Sequence, residues 1–113
     1  MNAMPHMDEI CRRVVAAYRR AYGDDIEAIY LYGSYARGDF DEESDIDFAA
    51  IVKDDAAEIS REKREQMLHE IFRMDLDLDV VSSPMTIPSK IFHEYKNEIG
   101  YYGNIFKEGK RLA

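Results

Sequence analysis

Leu31-Tyr32-Gly33-Ser34-Tyr35-Ala36-Arg37-Gly38, followed by Ser44-Asp45-Ile46-Asp47-Phe48, is the stretch on which the fold turns. An apolar run ends in a Gly-Ser turn, and a second apolar run opens on two aspartates spaced i, i+2. On a strand, residues two apart share a face, so Asp45 and Asp47 point the same way. Two like charges so placed repel unless a cation lies between them. Carboxylate oxygens suit Mg²⁺, and bare N–H groups of a glycine turn suit phosphates. Gly33 lets backbone approach closely and accepts positive φ. Ser34 offers a hydroxyl and an N–H to a phosphate oxygen, and a following helical turn adds its positive end. Arg37 is a candidate either to touch phosphate or to brace the turn.

Working outward, Asp8 to Tyr22 carries Ile10, Val14, Ala17, Tyr18 and Ala21 on one helical stripe, ending at Gly23. Glu27 to Tyr32 reads as a strand, Tyr35 to Asp39 as a short turn or single helical turn, Asp39 to Glu43 as an acidic loop and Ser44 to Val52 as a second strand. In that second strand Ile46, Phe48, Ala50 and Val52 face one side, and Asp45, Asp47, Ala49 and Ile51 the other. Asp55 to Arg73 reads as a helix. The alternation in Met74-Asp75-Leu76-Asp77-Leu78-Asp79-Val80-Val81 predicts a third strand, with Leu76, Leu78 and Val80 facing the core. Ser82 to Pro88, with two prolines, reads as a loop. Ser89 to Phe106 reads as a helix broken near Gly100 or Gly103. The plan is α/β (α+β): a small mixed or antiparallel sheet flanked by helices.

A chain of 113 residues with 46% apolar side chains is one domain. The expected division is a disordered tail over 1–7 and a folded domain over 8–113. With 23 acidic and 15 basic side chains the net charge is −8, which argues against duplex nucleic acid as a tightly held partner. The single cysteine, Cys11, permits no intrachain disulfide and fits a reducing, cytoplasmic setting. No apolar run approaches the ~20 residues of a membrane span, and no signal peptide is visible. His6, His69 and His93 are scattered without zinc spacing.

Three strand carboxylates are therefore in play: Asp45, Asp47 and one of Asp77 or Asp79. If the third strand lies beside the second, they converge at one sheet edge. Three acids could hold two divalent ions, about 3.5–4 Å apart in two-metal sites, for in-line attack of a hydroxyl on an α-phosphorus. Each signal alone has a plain structural explanation: a Gly-Ser turn that only turns, a solvated strand end, or the wet face of an edge strand. Tyr95, Tyr101, Tyr102 and Phe92 read as core packing of the last helix.

Order and spacing together resemble the nucleotidyltransferase superfamily that includes DNA polymerase beta, and within it the minimal nucleotidyltransferases, small stand-alone domains. The family pattern is an apolar strand, Gly-Ser often extended as Ala-Arg-Gly, Ser-Asp-x-Asp, then a third Asp on a later strand. Leu78-Asp79-Val80-Val81 matches that last part, and Asn104 to Gly109 matches a helix with a Lys-Glu-Gly-like tail. The resemblance implies that Gly33 and Ser34 contact the triphosphate, that Asp45 and Asp47 ligate metal, and that Asp79, or else Asp77, is the third acid. It implies a Mg²⁺-dependent enzyme with two ions, moving a nucleoside monophosphate, AMP from ATP, onto an acceptor hydroxyl. It further implies a partner, a HEPN-type toxin whose tyrosine is the acceptor, with this chain as antitoxin. Two alternatives stay open. One is a non-catalytic antitoxin acting by contact, its acidity suiting a basic partner. The other is an enzyme of small molecules such as aminoglycosides, its cleft built between the subunits of a homodimer.

Overall fold

The computed structural model describes residues 6–55 and 60–113. Helix α1 (Met7–Tyr22) buries Ile10, Val14, Ala17, Tyr18, Ala21 and Tyr22, and Gly23 at φ 57° closes it with its N–H on the Arg19 carbonyl. A 3-10 turn (Gly23–Asp25) leads to strand β1 (Ile26–Tyr32). One helical turn, α2 (Ser34–Arg37), and an acidic loop lead to β2 (Ile46–Val52). Then come α3 (Arg61–Leu78), β3 (Ser82–Pro88), α4 (Ser89–Tyr95), α5 (Tyr101–Glu108) and a short β4 (Lys110–Arg111). The expected tail loses Met7 to α1, and residues 1–5 lie outside the described residues. Of the helix expected from Asp55, Asp54 and Asp55 are helical, residues 56–59 lie outside the described residues, and α3 begins at Arg61 after the Ser60 cap, whose Oγ accepts the Lys63 N–H.

The sheet is mixed, in the order β3-β2-β1-β4. β1 pairs antiparallel with β2 and β4, while β2 pairs parallel with β3. Leu112 and Ala113 extend the β4 edge, donating to the Ile29 carbonyl and accepting the Ile29 N–H. The alternation expected of β2 holds. Ile46, Phe48, Ala50 and Val52 pack under α1 and α3. Ala49 and Ile51 pack on the other face with Tyr30, Ile87, Phe92 and Ile105. The predicted break in the last helix falls over residues 96–100, with Gly100 at φ 130° before α5.

The predicted strand over 74–81 is overturned: α3 runs through to Leu78. Its cause is a stripe that the local alternation hides. Met67, Ile71 and Met74 are buried at helical spacing and Leu78 packs beside them, whereas Leu76 is 67% exposed. Asp79 then stops the helix in the left-handed region, at φ 55° and ψ 52°, with its N–H on the Asp75 carbonyl. The Asp75 carboxylate accepts the Ser82 N–H at 3.0 Å and the Ser82 hydroxyl at 2.7 Å, fastening the helix end to the start of β3. The expected loop over Ser82–Pro88 is this strand. It lies at the sheet edge, where proline is tolerated because one side of the strand needs no N–H.

Tyr18 reaches across this architecture. Its ring is fully buried, and its hydroxyl donates to the Met85 carbonyl of β3 at 2.7 Å. Tyr18→Phe leaves that carbonyl without its partner. The expected cost is about 1–2 kcal/mol, read as a lower midpoint in urea unfolding with an unchanged slope. No helix among the described residues is long and apolar enough to cross a membrane.

Candidate functional site

The turn after β1 and the opening of β2 meet because the two strands form a hairpin in which Tyr32 lies opposite Asp47. Gly33 sits at φ 75° and ψ −156°, and a Cβ there would overlap Asp47 Oδ2. The glycine is thus required twice, by its backbone angle and by the carboxylate against it. The Gly33 carbonyl accepts the N–H groups of Ala36 and Arg37, both at 3.1 Å, folding α2 back over the turn. Ser34 begins α2, and its carbonyl accepts from Gly38 and Asp39.

Asp45 is exposed just before β2, and Asp47 is partly buried inside it. Burial pushes the Asp47 carboxyl above the usual carboxylate range, and the charge of Asp45 pushes further; Arg37 opposes both. Among the described residues, neither carboxylate takes a hydrogen bond or ion pair from a protein group. The loop before the pair is nevertheless built. Ser44 Oγ donates to Asp41 Oδ1 at 3.1 Å and accepts the Asp41 N–H, while Asp41 Oδ1 also accepts the Glu43 N–H. Ser44 therefore shapes the approach to Asp45.

Arg37 settles on acids rather than on open space. Its guanidinium donates to Asp39 at 3.2 Å and to Glu108 of α5 at 3.4 Å, tying α2 to the far helix. Glu108 escaped the sequence reading, since nothing local marks it as a partner. Tyr35 stacks on Phe40 with ring centres 4.2 Å apart, closing the loop on its other side.

The other acids are not gathered with this pair. Among the described residues, no three His, Cys, Asp or Glu side chains are grouped to hold a metal ion. Asp77 rides on α3, in the layer across the sheet from Asp47, and pairs with Arg13 of α1 at 3.1 Å. Asp75 is engaged with Ser82. Asp79 is exposed at the α3 cap, close in sequence to Val81, whose carbonyl accepts the Ile46 N–H. It therefore lies toward the sheet end that carries Asp45 and Asp47, but on a helix cap rather than a strand. The position beside Asp47 on β3 is held by Ser83.

A tyrosine pair completes the mouth. Tyr32 Oη and Tyr101 Oη are 3.0 Å apart, their rings edge-on at 85°. Burial, the bond to Tyr101 and the charge of Asp47 together raise the Tyr32 phenol well above its ordinary value. Core packing, expected for the aromatic cluster, holds for Phe92 alone in full; Tyr95 and Tyr101 are exposed. The pairing was hidden because it joins residues far apart in sequence.

Comparison with known proteins is consistent with this geometry. A family model described as polymerase beta, nucleotidyltransferase, matches residues 16–112. A protein of Methanocaldococcus jannaschii, MJ0141, to which protein adenylyltransferase activity is ascribed, is 37% identical over 81 residues, 71% of this chain and 78% of its own. A second from that organism, MJ0604, with the same ascription, is 28% identical over 105 residues, 93% of this chain and 96% of its own. Among solved structures, a mutant MntA–HpeT toxin–antitoxin superimposes with a TM-score of 0.55 at 19% identity, over 88% of this chain and 69% of the other. A toxin–antitoxin crystallised with AMP-PNP gives 0.54 at 19% identity, over 88% and 70%. At that identity the likeness is one of fold.

Proposed function

Because this chain belongs to the polymerase beta nucleotidyltransferase family and is an enzyme of that kind, we propose that it moves AMP from ATP onto a hydroxyl of a protein partner. The observation that carries the reading is the open carboxylate pair, Asp45 and Asp47, set against the Gly33–Ser34 turn. The names of the relatives favour AMP and a protein acceptor, and the fold neighbours favour a toxin as that partner. A tyrosine of a HEPN-class toxin is the acceptor we propose.

The residues fit Mg²⁺. Two carboxylates without protein partners among the described residues lie two residues apart at the opening of β2, one is disfavoured as an anion by its surroundings, and Gly33, lacking a Cβ, lets the Asp47 carboxylate lie against the turn. Mg²⁺ is ordinarily held by one or two carboxylates with substrate phosphates and water, so Asp45 and Asp47 suffice for one ion, and a second needs Asp79. Bound there, the metal would offset charge on the triphosphate and on the departing pyrophosphate. Gly33 and Ser34 bring backbone to the phosphates at the start of α2. Arg37, held by Asp39 and Glu108, braces that turn and adds positive potential near Asp47. Asp79 is proposed as the acid that receives the acceptor's proton, since Asp77 is committed to Arg13.

The test is α-labelled ATP and Mg²⁺ added with the purified chain to a nucleotide-depleted lysate of its source organism. A protein band labelled by the parent, and not by the Asp45→Asn, Asp47→Asn variant, is the expected result. No such band, with the variant still neutralising its partner, turns the reading to an antitoxin acting by contact, which the net charge of −8 would suit. The third acid separates cleanly. Asp79→Asn keeps a residue that accepts left-handed backbone, so its unfolding midpoint stays put while labelling falls at least about a hundredfold. Asp77→Asn loses an exposed ion pair worth under about 1 kcal/mol and labels within about threefold of the parent. Equal labelling by both variants removes Asp79 from the mechanism.

A further inference from the structure

Tyr101 is the protein hydroxyl most openly presented at this site. It is the first residue of α5, the residue is 45% exposed, and its hydroxyl lies 3.0 Å from that of Tyr32, which lies opposite Asp47 across the hairpin. Its placement is rigid. The Tyr32 ring meets it edge-on at 5.9 Å and the Tyr102 ring at 5.2 Å. Two residues on, Gly103 presses against the Glu98 carbonyl so closely that a Cβ would overlap it, which pins the start of α5 to the segment before it. Other hydroxyls serve less well. Tyr32 is half-buried on its strand, and Tyr95 and Tyr102 stack on each other, 6.1 Å apart, without a hydrogen bond to the site among the described residues.

We propose that Tyr101 is itself an acceptor: the enzyme adenylylates its own Tyr101 in cis. The inference rests on the nucleotidyl transfer proposed above. Tyr101 Oη forms a bond to the α-phosphorus of ATP, and the bond from that phosphorus to the oxygen bridging to the β-phosphorus breaks. Pyrophosphate leaves with the electron pair, and the phenolic proton passes to solvent. The product, an aryl phosphodiester, has no phenolic proton to share with Tyr32 and carries an adenylyl group at the mouth of the site. A chain so modified is closed to a further acceptor, so the reaction limits itself.

The experiment is intact-mass analysis of the purified chain after incubation with ATP and Mg²⁺, followed by peptide mapping, beside a thermal shift with the same nucleotide. One adenylyl group per chain, on Tyr101, is expected. It is absent from Tyr101→Phe, retained in Tyr95→Phe, and formed at a first-order rate that does not change with protein concentration. Tyr101→Phe should still show the parent's thermal shift with ATP and Mg²⁺. A parent that is stabilised by ATP and Mg²⁺ through Asp45 and Asp47 but stays unmodified, or is modified elsewhere, overturns the inference and leaves the proposed function standing. A rate that rises with protein concentration overturns the cis assignment. No stabilisation by ATP and Mg²⁺ removes the proposed function and this inference with it.

Discussion

Exchanging Asp45 and Asp47 together for Asn is expected to lower AMP transfer by at least about a thousandfold, since it removes both charges available to a metal–triphosphate complex. The same exchange should make the protein more resistant to denaturant in the absence of metal. Asp47 lies in a partly buried place beside a second carboxylate, and its pKa is raised above the usual carboxylate range, by burial first and by the charge of Asp45 second. For an acid raised in this way the folded state binds the proton more tightly than the unfolded chain. Stability is then greatest when the group is protonated and is lost as pH rises through the folded pKa. The metal-free parent should therefore lose stability across that window, and the double Asn variant should not share this loss. Mg²⁺ with nucleotide should reverse the order at neutral pH, stabilising the parent by about 2.7 kcal/mol at a hundredfold excess over Kd and leaving the variant unmoved. Urea melts of both proteins, with and without Mg²⁺ and ATP, check all of this. A variant less stable than the metal-free parent would mean that the pair serves the fold rather than the ligand.

Gly33→Ala should damage both the fold and the site. At φ 75° and ψ −156°, a region almost reserved to glycine, an L side chain is strained by about 1–3 kcal/mol, and overpacking against Asp47 adds about 1–3 kcal/mol. The sum, about 2–6 kcal/mol, is a large part of the 5–15 kcal/mol that holds a typical domain together. Relief comes most easily by swinging the Asp47 carboxylate aside, so transfer should fall by at least about a hundredfold in whatever fraction stays folded. Gly33→Ala, Asp47→Ala is the control. With the carboxylate gone the overlap vanishes, and the two substitutions should cost clearly less together than their separate costs added, which urea melts of the set will show. Simple additivity would mean that only the backbone angle matters at Gly33.

The sheet face of β2, the Gly33–Asp47 juxtaposition and the break before α5 were legible because each is set by short-range rules: alternation, a glycine turn, a helix breaker. The end of α3 was not. Asp-Leu-Asp-Leu-Asp alternates perfectly, yet its fate is decided by Met67, Ile71 and Met74 upstream, whose stripe carries the helix on until Asp79 turns it. The prolines of β3 looked like loop punctuation, because whether a strand lies at an edge is a property of the sheet and not of the strand. The same displacement put Asp79, the expected third acid, on a helix cap and not on a strand. Arg37 with Glu108, and Tyr32 with Tyr101, depend on α5 folding back over β1, which no local pattern encodes.

The hairpin of β1 and β2 has one more consequence, for the order in which the molecule is made. Closing a short loop costs little entropy, and the cost grows with the chain enclosed. Both halves of the proposed nucleotide site, the glycine turn and the aspartate pair, lie inside that one hairpin. β3 can join only after α3 has crossed over the sheet, and the brace from Glu108 to Arg37 is more distant still. The proposed centre is thus drafted by the cheapest contacts in the chain. The long-range ones, arriving last, decide what can reach it.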